Sequence, residues 1–259
     1  MVRKIQVQGH TLGYRIIRKS VWSPVMVFLH EGLGCIAKWK DFPDQLCKAT
    51  MLTGIVYDRY GYGTSDELLE PRQQDFLFHE AFEVLPELLE KLNIHKPLIL
   101  VGHSDGGSIA LLFASKFPER VQALILEAPH VKIEDLSAQG LKAAIWAYRY
   151  GDLRQRLIKY HDTNTDSAFW GWANVWTDER SGEWNIESYL PHITAPLLFI
   201  QGRQDEYGTE EQLWAICKHV KAPIEAEIIS DCGHIPHQQA EEFVLGRMTE
   251  FIRSVLSSR

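Results

Sequence analysis

No stretch of this 259-residue chain approaches the run of about 20 apolar residues that a membrane-spanning helix needs. The opening Met1-Val2-Arg3-Lys4-Ile5-Gln6 leads into polar sequence, without the apolar core of a secretion signal. Basic charge is also short. Against 34 Asp and Glu stand 27 Lys and Arg, a formal net charge of −7, so there is no basic footprint for nucleic acid. The few cysteines, Cys35, Cys47, Cys217 and Cys232, follow neither a metal-ligand nor a disulfide rhythm and read as free thiols of a reducing compartment. Internal repeats and low-complexity segments are missing too. The expectation is a cytoplasmic protein, monomer or homodimer, with neither membrane nor nucleic acid as partner.

What is present centres on Pro97-Leu98-Ile99-Leu100-Val101-Gly102-His103-Ser104-Asp105-Gly106-Gly107. Residues 98–101 read as a strand buried on both faces, and residues 108–117 as a helix with small residues on its near side. Between them lies Gly-x-Ser-x-Gly. Glycines around the serine let strand and helix approach closely through a strained bend, which lifts the Ser104 hydroxyl above the sheet at a helix N-terminus. The five-residue pattern is weak alone. Its setting between a buried strand and an amphipathic helix is what the chemistry requires, whereas an ordinary loop would merely happen to contain serine.

Around this stretch the chain alternates strands and helices. Residues 4–8 and 13–17 read as a strand pair joined by Gly9-His10. Further strands are expected at 25–29, 54–58, 121–126, 196–200 and 226–229. Helices are expected at 39–48, 76–92, 210–220 and 238–256, with Pro86 kinking or restarting the second. The content of 45% hydrophobic residues suffices for one large core carrying an inserted lobe. This pattern predicts an α/β protein with a mostly parallel sheet and helices on both faces. The rhythm breaks after Pro129. Up to Pro191 there is no strand-like run, only helical pattern and aromatics, including five of the eight tryptophans. The expected division is core 1–129, helical cap 130–191 and core 192–259. Some cap aromatics should roof a pocket, while most should form the cap's own small core.

A serine hydroxyl needs an adjacent base, and the base needs an orienting acid. Asp205 follows the strand at 196–200, and His234 follows the strand at 226–229. Loops at the carboxyl ends of parallel strands share one edge of the sheet, so Ser104, Asp205 and His234 can converge. Each role has rivals: Glu127 and Asp231 for the acid, His237 and His103 for the base. A metal read into His234 and His237 lacks a third ligand, so no metal and no cofactor are expected. The backbone amide of Asp105 can donate to a developing oxyanion, and a second donor should come from Gly32 or, less favourably, Leu33.

Five motifs together resemble the α/β-hydrolase superfamily over nearly the whole chain. They are Leu29-His30-Glu31-Gly32-Leu33-Gly34, Asp58-Arg59-Tyr60-Gly61-Tyr62-Gly63-Thr64-Ser65, Gly102-His103-Ser104-Asp105-Gly106-Gly107, Gln201-Gly202-Arg203-Gln204-Asp205 and Gly233-His234. The resemblance implies the α/β-hydrolase fold, a Ser104–His234–Asp205 triad and a helical cap. Ser104-Asp105-Gly106-Gly107 is most similar to the valacyclovir hydrolase branch, which cleaves α-amino-acid esters. That likeness implies that Asp105 holds a substrate ammonium group. Two positions depart from the superfamily: Glu31 and Tyr60 stand where glycine is common. Physically, a carboxylate beside an oxyanion must be turned away or meet a cation, so Asp105 either binds an amino-bearing substrate or bonds to amides or a neighbouring loop. Substrate contacts are expected from Asp105, Glu31, Leu33, Trp146 and Trp172. The expected activity is hydrolysis of a small ester, thioester or lactone, a small-molecule substrate. Carbon–carbon cleavage or lyase chemistry on the same triad, and a ligand-binding sensor with slow turnover, are the alternatives.

Overall fold

The computed structural model describes residues 1–18, 24–178 and 182–257. Strands β1 (Arg3–Val7) and β2 (His10–Ile17) form a hairpin, followed by β3 (Val25–Leu29), α1 (Phe42–Thr50) and β4 (Thr53–Tyr57). Helices α2 (Phe76–His79) and α3 (Leu85–Lys91), strand β5 (Leu98–His103), helix α4 (Asp105–Lys116) and strand β6 (Val121–Glu127) complete the first part. Three helices, α5 (Asp135–Tyr150), α6 (Leu153–His161) and α7 (Thr165–Thr177), precede β7 (Leu197–Gly202). Helix α8 (Glu211–His219), strand β8 (Ile224–Ile229) and helices α9 (Pro236–Gln239) and α10 (Glu241–Ser257) follow.

The eight strands form one sheet in the order β1-β2-β4-β3-β5-β6-β7-β8. Pairing is parallel from β4 through to β8, and β1 and β2 are antiparallel. Every residue of β3, β5, β6 and β7 is buried, as continuous apolar strands covered on both faces should be. The two-residue period of a strand divides them between two cores. Val25, Val27 and Leu29 pack on the face covered by α2, α3 and α4, whereas Met26 and Phe28 pack on the face covered by α1 and α10. This is the mostly parallel sheet with helices on both faces that the sequence pattern predicts, and the α/β-hydrolase fold that the resemblance implies.

Local departures have local causes. The hairpin turns on Gln8 and Gly9, both at positive φ (50° and 78°), one position earlier than expected. Helix α1 starts at Phe42, because a short 3-10 turn over Ile36–Trp39 ends at Lys40 with φ 54°. Pro86 stands in the first turn of α3, where the helical segment 76–91 restarts as expected. A π turn over Glu80–Val84 precedes it, widening the spiral where a proline has no N–H to give.

The inserted helices join the core through a narrow neck, in which Ile186 N–H donates to the Val131 carbonyl (2.8 Å) and Lys132 pairs with Asn185. At and beyond the neck Trp184, Ile186, Leu190 and Ile193 are buried with the core residues on the α4 face. No helix among the described residues is long and apolar enough to cross a membrane.

The chain leaves β3 for β4 on one side, then returns to place β5 on the other. The loops after β3 and β5 therefore diverge at a switch point and open a crevice beyond the carboxyl edge of the sheet. Helix α4 presses on that edge: a Cβ added at Gly106 would stand 2.0 Å from the Leu29 carbonyl oxygen. Gly106→Ala should therefore destabilise the fold by about 3 kcal/mol. For a chain of this size that is a loss of roughly 6–12 °C in melting temperature by circular dichroism; an unchanged melting temperature would show that the contact can relax.

Candidate active site

Ser104 sits at the bend between β5 and α4 with φ 53° and ψ −119°, a conformation that side-chain-bearing residues rarely adopt. Its N–H extends the sheet ladder to the Glu127 carbonyl (2.9 Å), and its carbonyl accepts from Gly107 (2.8 Å) and Ser108 (3.1 Å). The bend is thus gripped from strand and helix at once.

His234 lies in the loop after β8, and its Nδ1 stands 2.8 Å and 3.0 Å from the two carboxylate oxygens of Asp205, in the loop after β7. Asp205 also accepts from the amides of Tyr207 (2.8 Å) and Gly208 (3.3 Å), which aim its carboxylate. The His234 main chain is tethered at both ends: its N–H donates to Glu206 Oε2 (3.0 Å), and its carbonyl accepts from His103 Nε2 (2.6 Å). Burial alone would lower the His234 pKa. The Asp205 charge and hydrogen bond, with Glu31 and Glu206 behind them, outweigh burial and raise it. Asp205 is correspondingly lowered, because its bonds to His234 and to Tyr207 outweigh its own burial. No described residue hydrogen-bonds to the Ser104 hydroxyl or to His234 Nε2, and both residues line one cavity of about 660 Å³.

The rival residues have other partners. His237 Nδ1 bonds to Glu127 Oε2 (2.9 Å), so these two form a second histidine–carboxylate pair with each other. It is buried against Trp39, at 4.5 Å between ring centroids, and neither residue borders the main cavity. His103 holds the His234 backbone, and Asp231 is exposed beside Gln204. Among the described residues no three His, Cys, Asp or Glu side chains are grouped to hold a metal ion.

Glu31, where glycine is common, folds its carboxylate back onto its own loop. Its Oε2 accepts the Leu33 N–H (3.0 Å), and its Oε1 pairs with Lys38. Leu33 therefore has no free amide for an oxyanion, whereas the N–H groups of Gly32 and Asp105 have no partner among the described residues. Gly32 and Asp105 both line the cavity with Ser104. The Asp105 side chain is buried, and its Oδ2 stands 3.7 Å from Arg59 Nη2 with no hydrogen bond. Burial raises its pKa against the opposing pull of Arg59.

Of the cap aromatics, Trp172 lines the cavity and lies directly over Gly32, where an added Cβ would meet its indole nitrogen at 2.2 Å. Trp146, expected as a substrate contact, does not line the cavity. It is 63% exposed on the outer face of α5 beside Tyr150, because α5 turns Leu141, Ala144 and Tyr148 inward instead. Tyr148, Phe169 and Trp172 form the cap's own small core together with Leu33 of the β3 loop. Three cavity residues gave no separate signal in the sequence: Glu206 and Tyr207, directly after Asp205, and His130, whose ring lies 5.9 Å from that of His234. Burial lowers the His130 pKa to about 4, so it is uncharged near neutrality.

Comparison with known proteins agrees with this geometry. The family model described as alpha/beta hydrolase fold matches residues 24–185. The chain is similar to a putative 2-succinyl-6-hydroxy-2,4-cyclohexadiene-1-carboxylate synthase of Bacillus subtilis, with 27% identity covering 90% of this chain and 92% of the relative. It is similar to the human serine hydrolase BPHL at 25% identity, covering 70% of this chain and 64% of that protein. A thermophilic esterase from Thermogutta terrifontis shares the fold, with a TM-score of 0.74 and 19% identity over 98% of this chain and 99% of the other. The strained serine bend, the switch-point cavity and the family match lead to one statement: this chain belongs to the alpha/beta-hydrolase fold family of enzymes.

Proposed function

We propose that this enzyme is a serine hydrolase that cleaves a small carboxylic ester, thioester or lactone through an acyl-enzyme on Ser104. The observation that carries the reading is the cavity shared by Ser104 and His234, with Asp205 at 2.8 Å behind the imidazole. Ser104 attacks the carbonyl carbon while His234 Nε2 takes its proton; Asp205 holds the tautomer and steadies the imidazolium. The amides of Asp105 and Gly32 receive the oxyanion. His234 then gives the proton to the leaving oxygen or sulfur, and water reverses the sequence to release the acid. Comparable bases contribute about 10²–10⁴-fold and each oxyanion donor about 10²–10³-fold.

The substrate is proposed to be uncharged or amino-bearing rather than anionic. Carboxylates outnumber lysines around the cavity, with Glu31, Asp105, Glu134, Asp135, Asp178 and Glu206 against Lys38 and Lys142. Asp105 Oδ2 offers an acceptor for an ammonium group, in competition with Arg59. Carbon–carbon cleavage or lyase chemistry on the same triad is the second reading, supported by the similarity to a 2-hydroxy-6-oxo-6-phenylhexa-2,4-dienoate hydrolase of Comamonas testosteroni, 26% identical over 73% of each chain.

A p-nitrophenyl ester series should give a stoichiometric burst, and Ser104→Ala should abolish it and lower kcat by roughly 10⁴–10⁶-fold. Slow turnover indifferent to Ser104→Ala would end the proposal, and product analysis separates hydrolysis from carbon–carbon cleavage.

Only neutral His234 can accept the proton, so kcat/KM should rise with pH through one ionisation lying above the ordinary histidine value of about 6.5. Glu206→Gln removes one of the negative charges that raise it, so the limb should move toward acid. A limb unmoved, or activity flat down to about pH 4, would exclude His234 as the base.

Asp105→Asn should lower kcat/KM selectively for amino esters over their des-amino counterparts. Equal effects on both would assign Asp105 to its contact with Arg59 instead.

A further inference from the structure

One backbone carbonyl beside the cavity is crowded with donors. The Glu31 oxygen accepts from His30 Nδ1 (2.7 Å), Arg59 Nη2 (2.8 Å) and the Gly34 N–H (3.0 Å), although a carbonyl oxygen has two lone pairs. The His30 ring is itself held by Arg59, whose backbone N–H (3.1 Å) and Nε (3.3 Å) both point to His30 Nε2. With Nε2 accepting, the ring proton sits on Nδ1 and donates to Glu31. Arg59 is 1% exposed and His30 2%, so the arrangement is built into the interior. Burial and the Arg59 charge keep His30 neutral, as this pattern needs.

Resting on the reading of Ser104 as nucleophile, we propose that Arg59, with His30, is a positioning residue that presents the Gly32 N–H as the second oxyanion donor. The carbonyl of Glu31 and the N–H of Gly32 belong to one planar peptide, and in a trans peptide these two bonds point in opposite directions. Fixing the carbonyl against Arg59 therefore turns the N–H to the opposite side, and Gly32 borders the cavity that holds Ser104. Hydrogen bonds onto a carbonyl also polarise its amide and strengthen the N–H as a donor. The Glu31 carboxylate occupies the competing Leu33 N–H, which leaves Gly32 as the donor of this loop. The same guanidinium stands 3.7 Å from the Asp105 carboxylate, so one side chain braces both donor-bearing residues.

Arg59→Lys keeps the buried charge but loses the planar fork. The burst amplitude of a p-nitrophenyl ester counts active sites, and the burst rate reads acylation for each of them. We expect the burst rate to fall about 10–100-fold with KM within about twofold, as for a donor displaced by roughly an ångström. Affinity for an alkylboronic acid, which forms a tetrahedral adduct on the Ser104 oxygen, should fall by the same factor. A merely structural role would lower the amplitude and spare both of those readouts. Should Arg59→Lys fail to fold, as circular dichroism would show, His30→Gln breaks the other half of the clamp and should slow acylation in the same way. A folded variant with wild-type burst rate and boronate affinity overturns the proposal, as does a change confined to KM. If Ser104→Ala leaves turnover and boronate binding of the enzyme unchanged, the nucleophile reading fails and takes this one with it.

Discussion

The structure depends on how closely the first turn of α4 can press against the end of β3. That contact is backbone against backbone, Gly106 against the Leu29 carbonyl, and it leaves no room for a side chain. Because α4 is held so near, the chain between β5 and α4 has to reverse within one residue, and Ser104 takes the positive φ. Such a conformation costs on the order of 1–3 kcal/mol and persists only where the surroundings over-determine it. Here they do: β5 is buried throughout, and α4 is buried from Asp105 to Ser115. The same closeness brings the loop after β3 alongside the helix N-terminus, so the unpartnered amides of Gly32 and Asp105 border one cavity.

Beneath that cavity lies a layer of buried polar side chains, each engaged with a neighbour. His103 reaches the backbone of His234, His237 holds Glu127, and His30 and Arg59 hold the Glu31 carbonyl. Buried polar groups are costly unless bonded, and when bonded they fix geometry more tightly than apolar contacts do. The two histidine–carboxylate pairs show the difference that position makes. His237 and Glu127 are enclosed below Trp39, while His234 and Asp205 are built alike and His234 opens onto the cavity.

The cap is anchored to this floor and is more than a roof. His161 donates through Nε2 to the Leu33 carbonyl (3.0 Å) and accepts the Gly63 N–H at Nδ1 (3.0 Å). Asn164 donates to the Ser65 carbonyl (2.7 Å). The loops after β3 and β4 are thus tied to the junction of α6 and α7.

The strands, the parallel sheet and the helical insertion were legible because burial on two faces forces continuous apolar runs, as in 98–101, and the Ser104 bend was legible because its glycines lie between such a strand and a helix. Asp205 and His234 stood out as candidates because each follows a strand whose end must lie on one edge. The pairing of Asp205 with His234 followed from that placement; the second pair was not legible, because only the packing of Trp39 and β6 brings Glu127 and His237 together. The orientation of Trp146 was hidden as well, since helical spacing alone does not say which face of α5 turns inward. Nor could Glu31, an exception to its motif, announce that its carboxylate would cap Leu33 while its carbonyl met Arg59 and His30. By itself the sequence pattern determined the class of the fold, a mostly parallel sheet with helices on both faces, because local periodicity and backbone sterics suffice for that. Only the tertiary structure decided the second pairing, because a hydrogen bond between residues 110 positions apart is set by where the sheet and its helices place them.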